Sequence, residues 1–186
     1  MAHVEMNERE ARTQQTFTAL MWALSYPGRA QNLIGNGLQT WLAIGETLID
    51  LETSYYTSHT ELNTLLSRLG ARARTPAQAL YQFYPQLEEA SLADLQNAPS
   101  GNYLSPDEAA TLVIGAEFGA GASLRLRGPG IKQEVDLRVK GLPVAFWQLR
   151  AERNKYPMGW DIFLVGQGHV VGLPRTTQIE VSQWRI

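Results

Sequence analysis

The chain has 186 residues, no cysteine and a formal net charge of −2 at pH 7, and charged residues make up only 18% of it. A single domain of this composition excludes disulfides, thiolate metal sites and iron–sulfur clusters, and its charge argues against a nucleic-acid partner. The apolar runs are too short to cross a membrane and the N-terminus lacks a signal-peptide core, so we predict a cytoplasmic protein without membrane contact.

Helical periodicity dominates the first half of the chain. Residues 1–8 are expected to be disordered. In chain order, the predicted elements are then a helix that ends at Pro27-Gly28, a helix from Leu38 to about Asp50, a strand over 53–57, and a helix over 60–69 that stops at Gly70. Thr75-Pro76 has the pattern of a helix start, so helical segments are predicted from there to about Asn97.

Strand periodicity dominates the second half. The first predicted elements are strands over 111–116 and 122–127, a Gly128-Pro129-Gly130 turn, and a strand beyond it that ends near Val139. A helix follows from Pro143 to about Asn154, then a hairpin of Trp160–Val165 and His169–Leu173 around Gly166-Gln167-Gly168, and a further strand over 175–181. This order favours one α/β domain over residues 1–186, with a single mixed β-sheet flanked by helices.

Three segments of the chain resemble one known family. The first is residues 17–28, a helix that ends at Pro27-Gly28, and the second is residues 115–131, which contain the turn Gly128-Pro129-Gly130-Ile131. The third is the pair Tyr156-Pro157-Met158-Gly159-Trp160-Asp161 and Leu173-Pro174-Arg175-Thr176-Thr177. In their order and spacing they are similar to the motifs of the PhnH family, the H subunit of the bacterial carbon–phosphorus lyase system. Pro27, Gly28, Gly128, Gly130, Pro157, Gly159, Asp161 and Pro174 are therefore interpreted as structural motif residues.

The resemblance implies a fold, partners and a function. Members of the family resemble a reduced pyridoxal-phosphate-dependent transferase, form homodimers, and join three other subunits in a core complex. That complex attaches a phosphonate to the ribose of ATP, and a radical iron–sulfur subunit then cleaves the carbon–phosphorus bond. We therefore expect a non-catalytic or accessory subunit for phosphonate catabolism. The alternative is a phosphonate- or nucleotide-binding unit, or a transferase, that acts on its own.

Cofactor and metal chemistry lack the residues that they need. The only lysines are Lys132, Lys140 and Lys155, and none has the strand-end context of a Schiff-base lysine. His3, His59 and His169 are far apart and have no local acidic partners, so no metal site is predicted. We predict no cofactor, no metal and no catalytic residue.

Arg175, Thr176 and Thr177 form the one cluster suited to an oxyanion, since a guanidinium fork and two hydroxyls could hold a phosphonate or triphosphate. Arg127, with Arg125 on the same strand face, could assist. The favoured alternative is that Arg175 pairs with Asp161 and fixes the last two strands together.

Aromatic residues and the low share of charge both favour burial against other proteins. The tryptophans are Trp22, Trp41, Trp147, Trp160 and Trp184. Trp22 and Trp147 are expected in the domain's own core because they lie on predicted helices, and Trp184 is the better interface candidate.

Overall fold

A computed structural model of the protein describes residues 7–182. The α-helices are α1 (Glu8–Ser25), α2 (Leu38–Leu48), α3 (Thr60–Leu66), α4 (Leu92–Asn97) and α5 (Val144–Arg153). The strands are β1 (Gln31–Asn32), β2 (Ser54–Tyr56), β3 (Arg72–Ala73), β4 (Tyr81–Tyr84), β5 (Thr111–Gly115), β6 (Glu117–Arg127), β7 (Val135–Lys140), β8 (Asp161–Gly166), β9 (His169–Leu173) and β10 (Gln178–Ser182). His3 and Trp184 lie outside the described residues.

The main sheet has seven strands in the order β1-β9-β8-β5-β4-β2-β3. The pairs from β8 through β5, β4 and β2 to β3 are parallel, whereas β9 runs antiparallel to both β8 and β1. The predicted hairpin is confirmed as part of this sheet, with Ile162 opposite Leu173 and Gly166 opposite His169. Gln167 and Gly168 both have positive φ, as a two-residue primed turn requires.

The second sheet is a separate layer of three antiparallel strands in the order β10-β6-β7. The prediction of one sheet was therefore wrong, although the α/β class is correct. Leu124, Leu126, Leu137 and Val139 point inward and are buried, while their neighbours along β6 and β7 face outward. A half-buried sheet of this kind can pack by its apolar face onto another layer, so β6 and β7 need no place in the main sheet.

Two apolar clusters lie on opposite faces of the main sheet. Helices α1, α2 and α3 cover one face, where Leu20, Ile44 and Leu62 pack against sheet residues such as Phe163. The other face is covered by α4, α5 and the inner face of the small sheet. The strands β5, β8 and β9 are therefore buried on both sides, which explains their nearly continuous apolar sequences.

The predicted helical segments over 75–97 were wrong in their first part. Thr75-Pro76 lies in a turn, and β4 follows it as a strand buried between β2 and β5. Gln82 explains the turn, because its buried side-chain amide donates to the carbonyls of Pro76 at 2.7 Å and Ala79 at 3.1 Å. Helical structure returns only with a short 3-10 helix at Glu89–Ser91, which leads into α4.

The expectation about the N-terminus concerned residues 1–8, of which 1–6 lie outside the described residues. Asn7 caps α1: its side chain accepts a hydrogen bond from the amide of Glu10, whose carboxylate accepts one from the amide of Asn7. Trp147 is buried as predicted, but Trp22 is 42% exposed, which corrects the expectation that it fills the core. Within residues 7–182, no helix is long and apolar enough to cross a membrane.

Candidate functional site

The sequence motifs converge at the amino end of β8. Asp161 is the first residue of β8, and Arg175 follows the end of β9. One carboxylate oxygen of Asp161 accepts from the backbone N–H of Arg175 at 2.8 Å, and the other accepts from its guanidinium Nη2 at 2.7 Å and Nε at 3.2 Å. The antiparallel register of β8 and β9 brings these groups together. The predicted ion pair is therefore confirmed.

The remaining terminal nitrogen of Arg175 is directed at the backbone of two loops. Nη1 donates to the carbonyl of Pro106 and lies 3.4 Å from that of Pro157. The Arg175 and Asp161 side chains are 17% and 23% exposed. Because Nε, Nη1 and Nη2 all have protein acceptors, this arrangement favours the packing interpretation of Arg175 over the oxyanion interpretation.

Arg150 on α5 fixes the same β9–β10 connection from beneath. This arginine is 4% exposed, and its Nη2 donates to the carbonyls of Pro174 at 3.0 Å and Thr177 at 3.2 Å. Burial lowers the pKa of Arg150 to about 10, partly opposed by the nearby charge of Asp161. Sequence reasoning missed Arg150, since its position near the end of a helix is equally typical of a solvated arginine.

The two threonines of the cluster do not share one environment. Thr177 is 3% exposed, its amide donates to the Pro174 carbonyl at 2.9 Å, and its hydroxyl has no hydrogen-bond partner among the described residues. Thr176 is partly exposed, and its carbonyl lies 3.0 Å from where a side chain at Gly128 would begin. The Gly-Pro-Gly turn thus packs directly against this connection.

Arg127 is not brought into the cluster. It lies on the outer face of the small sheet, 56% exposed, and its Nη2 and Nε donate to Glu134 at 2.9 and 3.3 Å. This hydrogen bond raises the pKa of Arg127 and lowers that of Glu134. Arg125 on the same face lies 3.7 Å from both Glu134 and Asp136. Carboxylates therefore neutralise this pair of arginines.

The first two motifs meet each other as packing elements. A Cβ at Gly130 would lie 2.4 Å from the Ser25 carbonyl, and one at Gly28 would lie 2.6 Å from Leu126 Cδ1. Both glycines have positive φ. The stop of α1 and the turn after β6 thus approach more closely than side chains allow, which supports a structural role for Gly28 and Gly130.

The loop before β8 is held by Asn154 and Trp160. The Asn154 side chain accepts from the Trp160 amide at 3.0 Å and donates to its carbonyl at 3.1 Å. The fully buried indole of Trp160 donates to the Pro99 carbonyl at 2.9 Å, and the Gly159 amide donates to that of Ser100 at 2.9 Å. The bond between Tyr156 and Pro157 is cis.

A crevice of about 470 Å³ opens at the carboxyl ends of β4, β5 and β8. This is the position at which open α/β sheets bind ligands. Its lining residues are Pro85, Gln86, Leu87, Glu88, Gly115, Ala116, Glu117, Gly141 and Val165. The charged residues of this lining are Glu88 and Glu117, and the lining contains no lysine or arginine. The crevice therefore does not suit a phosphonate or a triphosphate.

The three lysines and the two described histidines hold other positions. Lys132 and Lys155 are exposed, and the exposed Lys140 lies 3.4 Å from Glu117. His59 caps α3 through its ring nitrogen Nδ1, and His169 lies opposite Asn32 at the edge of the sheet. Over residues 7–182, no group of three His, Asp or Glu side chains could hold a metal ion.

Comparison with known proteins connects this geometry to a family. The family model of a bacterial phosphonate metabolism protein (PhnH) matches residues 5–180. The chain is 36% identical over 179 residues, 92% of its length and 87% of the relative's, to a Stutzerimonas stutzeri protein described as putative C-P lyase subunit HtxG. It is also 43% identical over 77 residues to the alpha-D-ribose 1-methylphosphonate 5-triphosphate synthase subunit PhnH of Rhizobium meliloti (strain 1021), 40% of this chain and 38% of that one.

Proposed function

This chain belongs to the bacterial phosphonate metabolism family PhnH, and we propose that it is a non-catalytic subunit of a carbon–phosphorus lyase core complex. The family identification from the three motifs is confirmed by the match over residues 5–180. The observation that carries the proposal is the likeness over 92% of the chain to a relative described as a lyase subunit.

The geometry supports an accessory role rather than an independent one. Joining a phosphonate to a nucleotide needs cationic groups that clamp phosphates, usually with Mg²⁺ held by carboxylates. Here Arg175 and Arg127 hold carboxylates of the same chain, and Arg150 holds backbone carbonyls. In our proposal the complex attaches the phosphonate to the ribose of ATP and partner subunits cleave the carbon–phosphorus bond, while this chain completes the assembly.

The test separates the subunit from an independent enzyme. Deleting this chain from a host that expresses the whole system should abolish growth on a phosphonate, and mass determination should find the chain in the intact complex. The pure chain mixed with ATP, methylphosphonate and Mg²⁺ should form no ribose-phosphonate product. Detection of that product from the pure chain would overturn the proposal in favour of a phosphonate- or nucleotide-binding transferase unit.

We also propose that the protein is a cytoplasmic homodimer and that its one domain spans the whole chain as a reduced pyridoxal-phosphate transferase fold without the cofactor. The exposed apolar side chains of α1 support self-association, since Phe17, Met21 and Trp22 are 56%, 42% and 42% exposed. Absorbance of an internal aldimine in the purified protein, or stoichiometric metal by elemental analysis, would contradict the cofactor-free proposal.

A further inference from the structure

Three of the most exposed large apolar side chains lie on two adjoining loops at the amino end of β8. Leu104 is 95% exposed, Tyr103 is 75% exposed and Tyr156 is 74% exposed. We call this set, Tyr103, Leu104 and Tyr156 with the loops 100–108 and 154–160 that carry them, the tip surface. These side chains contribute almost nothing to the domain's own core, and exposed apolar patches of this kind mark sites of interaction with other molecules.

The two loops are bonded into one unit. Trp160 donates to the Pro99 carbonyl and Gly159 to the Ser100 carbonyl, both at 2.9 Å. Arg175 bridges them, because its Nη1 donates to the carbonyl of Pro106 in one loop and lies 3.4 Å from that of Pro157 in the other. The family-typical residues around Asp161 therefore build the base on which the tip surface stands.

The loop that carries Leu104 is also fixed internally. The side-chain oxygen of Asn102 accepts from the amides of Leu104 at 2.8 Å and Ser105 at 2.9 Å, and the Asn102 amide donates to the Ser105 carbonyl at 3.2 Å. Ser100 and Ala109 pair across the loop base. Leu104 is thus held outward in one conformation, which lowers the entropy cost of docking.

We propose that the tip surface docks into an apolar hollow on a different subunit of the complex, one rimmed by basic side chains. Tyrosine is enriched at interface cores, and an ordered apolar projection fits a concave partner. Beside the tip surface, two acidic residues, Asp107 and Glu108, and one basic residue, Lys155, are exposed. This excess of negative charge favours a partner with a basic rim and disfavours an anionic lipid surface. This inference rests on the proposed function, since it assumes a multi-subunit complex.

A second copy of this chain fits the tip surface less well. A two-fold interface is self-complementary, so a projecting tip would need a matching apolar hollow within the same patch of a second copy. The groove between α1 and α2, which includes Arg9, Glu10 and Glu46, has charged walls unsuited to an isopropyl group. The exposed face of α1 is the separate candidate for self-association.

The test uses the whole system, expressed with an affinity tag on this chain. Leu104→Asp should weaken capture of the other subunits roughly tenfold or more, while the melting temperature and the mass of the isolated protein stay unchanged. Tyr156→Ser should act in the same direction. Leu51→Asp is the matched control, because Leu51 is also 75% exposed but lies between α2 and β2, and it should leave capture unchanged.

Each other outcome overturns the inference in a distinguishable way. If the wild-type chain captures no other subunit, the proposed function and the docking inference fail together. If Leu104→Asp captures the other subunits as well as wild type does, only the docking inference fails. A monomer mass for Leu104→Asp with normal capture would assign the surface to self-association. Loss of binding to phosphatidylglycerol vesicles with normal capture would assign it to a membrane.

Discussion

The carboxylate of Asp161 serves both the backbone and the side chain of Arg175. Breaking a buried pair on one side costs roughly 3–5 kcal/mol, whereas an exposed pair is worth about 0–1 kcal/mol. With 23% and 17% of these side chains exposed, we expect Asp161→Ala and Arg175→Ala to fall between these limits. In denaturant titrations the double variant should lose less than the sum of the two, because the groups interact.

The exposed pair of Glu117 and Lys140 provides the control, with its atoms 3.4 Å apart and 60% and 58% exposed. Lys140→Ala should lower the free energy of unfolding by no more than about 1 kcal/mol. Strictly additive losses at Asp161 and Arg175 would contradict the coupling. Loss of growth on phosphonate by Arg175→Ala, with stability and assembly unchanged, would instead favour the ligand-binding interpretation.

Arg150 makes a second prediction at the residue scale. Arg150→Ala removes the donor to two carbonyls and leaves a cavity beneath α5. We therefore expect the free energy of unfolding, measured by urea denaturation, to fall by roughly 2–4 kcal/mol. Gln148→Ala on the exposed face of the same helix should change stability by less than about 0.5 kcal/mol. Equal effects of the two substitutions would show that the buried hydrogen bonds of Arg150 contribute nothing.

These residues differ in how far the sequence could predict them. The pairing of Asp161 with Arg175 follows from the hairpin register, because a tight turn sets which residues face each other. The burial of Arg150 depends on the β9–β10 connection crossing over α5, a contact between distant segments that leaves no local pattern. The position of Arg127 also leaves no local pattern, because it depends on how the small sheet packs. The prediction that Arg127 assists Arg175 was therefore wrong, since its strand turns Arg127 outward.

At the scale of elements, α1 lies directly on β9 at Gly172. A Cβ there would lie 2.4 Å from the carbonyl oxygen of Ala23 and 2.7 Å from the amide nitrogen of Leu24. Gly172→Ala should therefore push the helix away and cost about 1–3 kcal/mol or more in thermal unfolding. In Gly45→Ala the Cβ would meet chiefly the flexible end of Leu66, and a helix propensity gain of about 1 kcal/mol should offset that contact. A harmless Gly172→Ala would contradict the close packing.

The contact between β2 and α4 gives a pH-dependent prediction. The hydroxyl of Tyr56 on β2 donates to Asp94 on α4 at 2.8 Å. Burial first, and then the hydrogen bond and charge of Asp94, raise the pKa of Tyr56 from 10.0 to about 12. Because the folded value lies above the unfolded one, its contribution to stability is complete below pH 10 and is lost as the pH rises through about 12.

Tyr56→Phe should accordingly lose less stability than the wild type as the pH is raised above 10. At neutral pH the variant should be less stable by about 1–2 kcal/mol, because it lacks the hydrogen bond to the carboxylate. Urea titrations across the alkaline range measure both effects. Parallel curves for the two proteins would contradict the role of Tyr56.

Element boundaries were predictable where one face of an element is solvated. The hairpin, α5 and the first three helices have clear periodicity or stop signals. β4 has neither, since Gln82, Phe83 and Tyr84 are all fully buried and a strand covered on both faces does not alternate. The division into two sheets was equally hidden, because it depends on which layer β6 joins and not on its own pattern.

At the scale of the whole molecule we expect a homodimer that hides on the order of 1,200–2,000 Å² or more of total surface. Light scattering at micromolar concentration should give twice the chain mass of 20.7 kDa. Trp22→Asp combined with Met21→Asp on the exposed face of α1 should give the mass of one chain. A monomer mass for the wild-type protein would contradict the dimer. A dimer mass for the double variant would show that the dimer interface does not include this face of α1.

The placement of β6, β7 and α5 between two neighbouring strands has a consequence for how the molecule forms. β5 pairs with β8, so Thr111 must find Asp161, and β10 later returns to β6, where Ser182 meets Ser123. Pairing between strands that are so far apart in sequence slows folding, because the chain loses the entropy of loop closure before the stabilising contacts form. During synthesis β5 has no β8 beside it until the whole insertion has emerged, and an open apolar strand edge invites aggregation. A chain cut after α5 should therefore precipitate on expression.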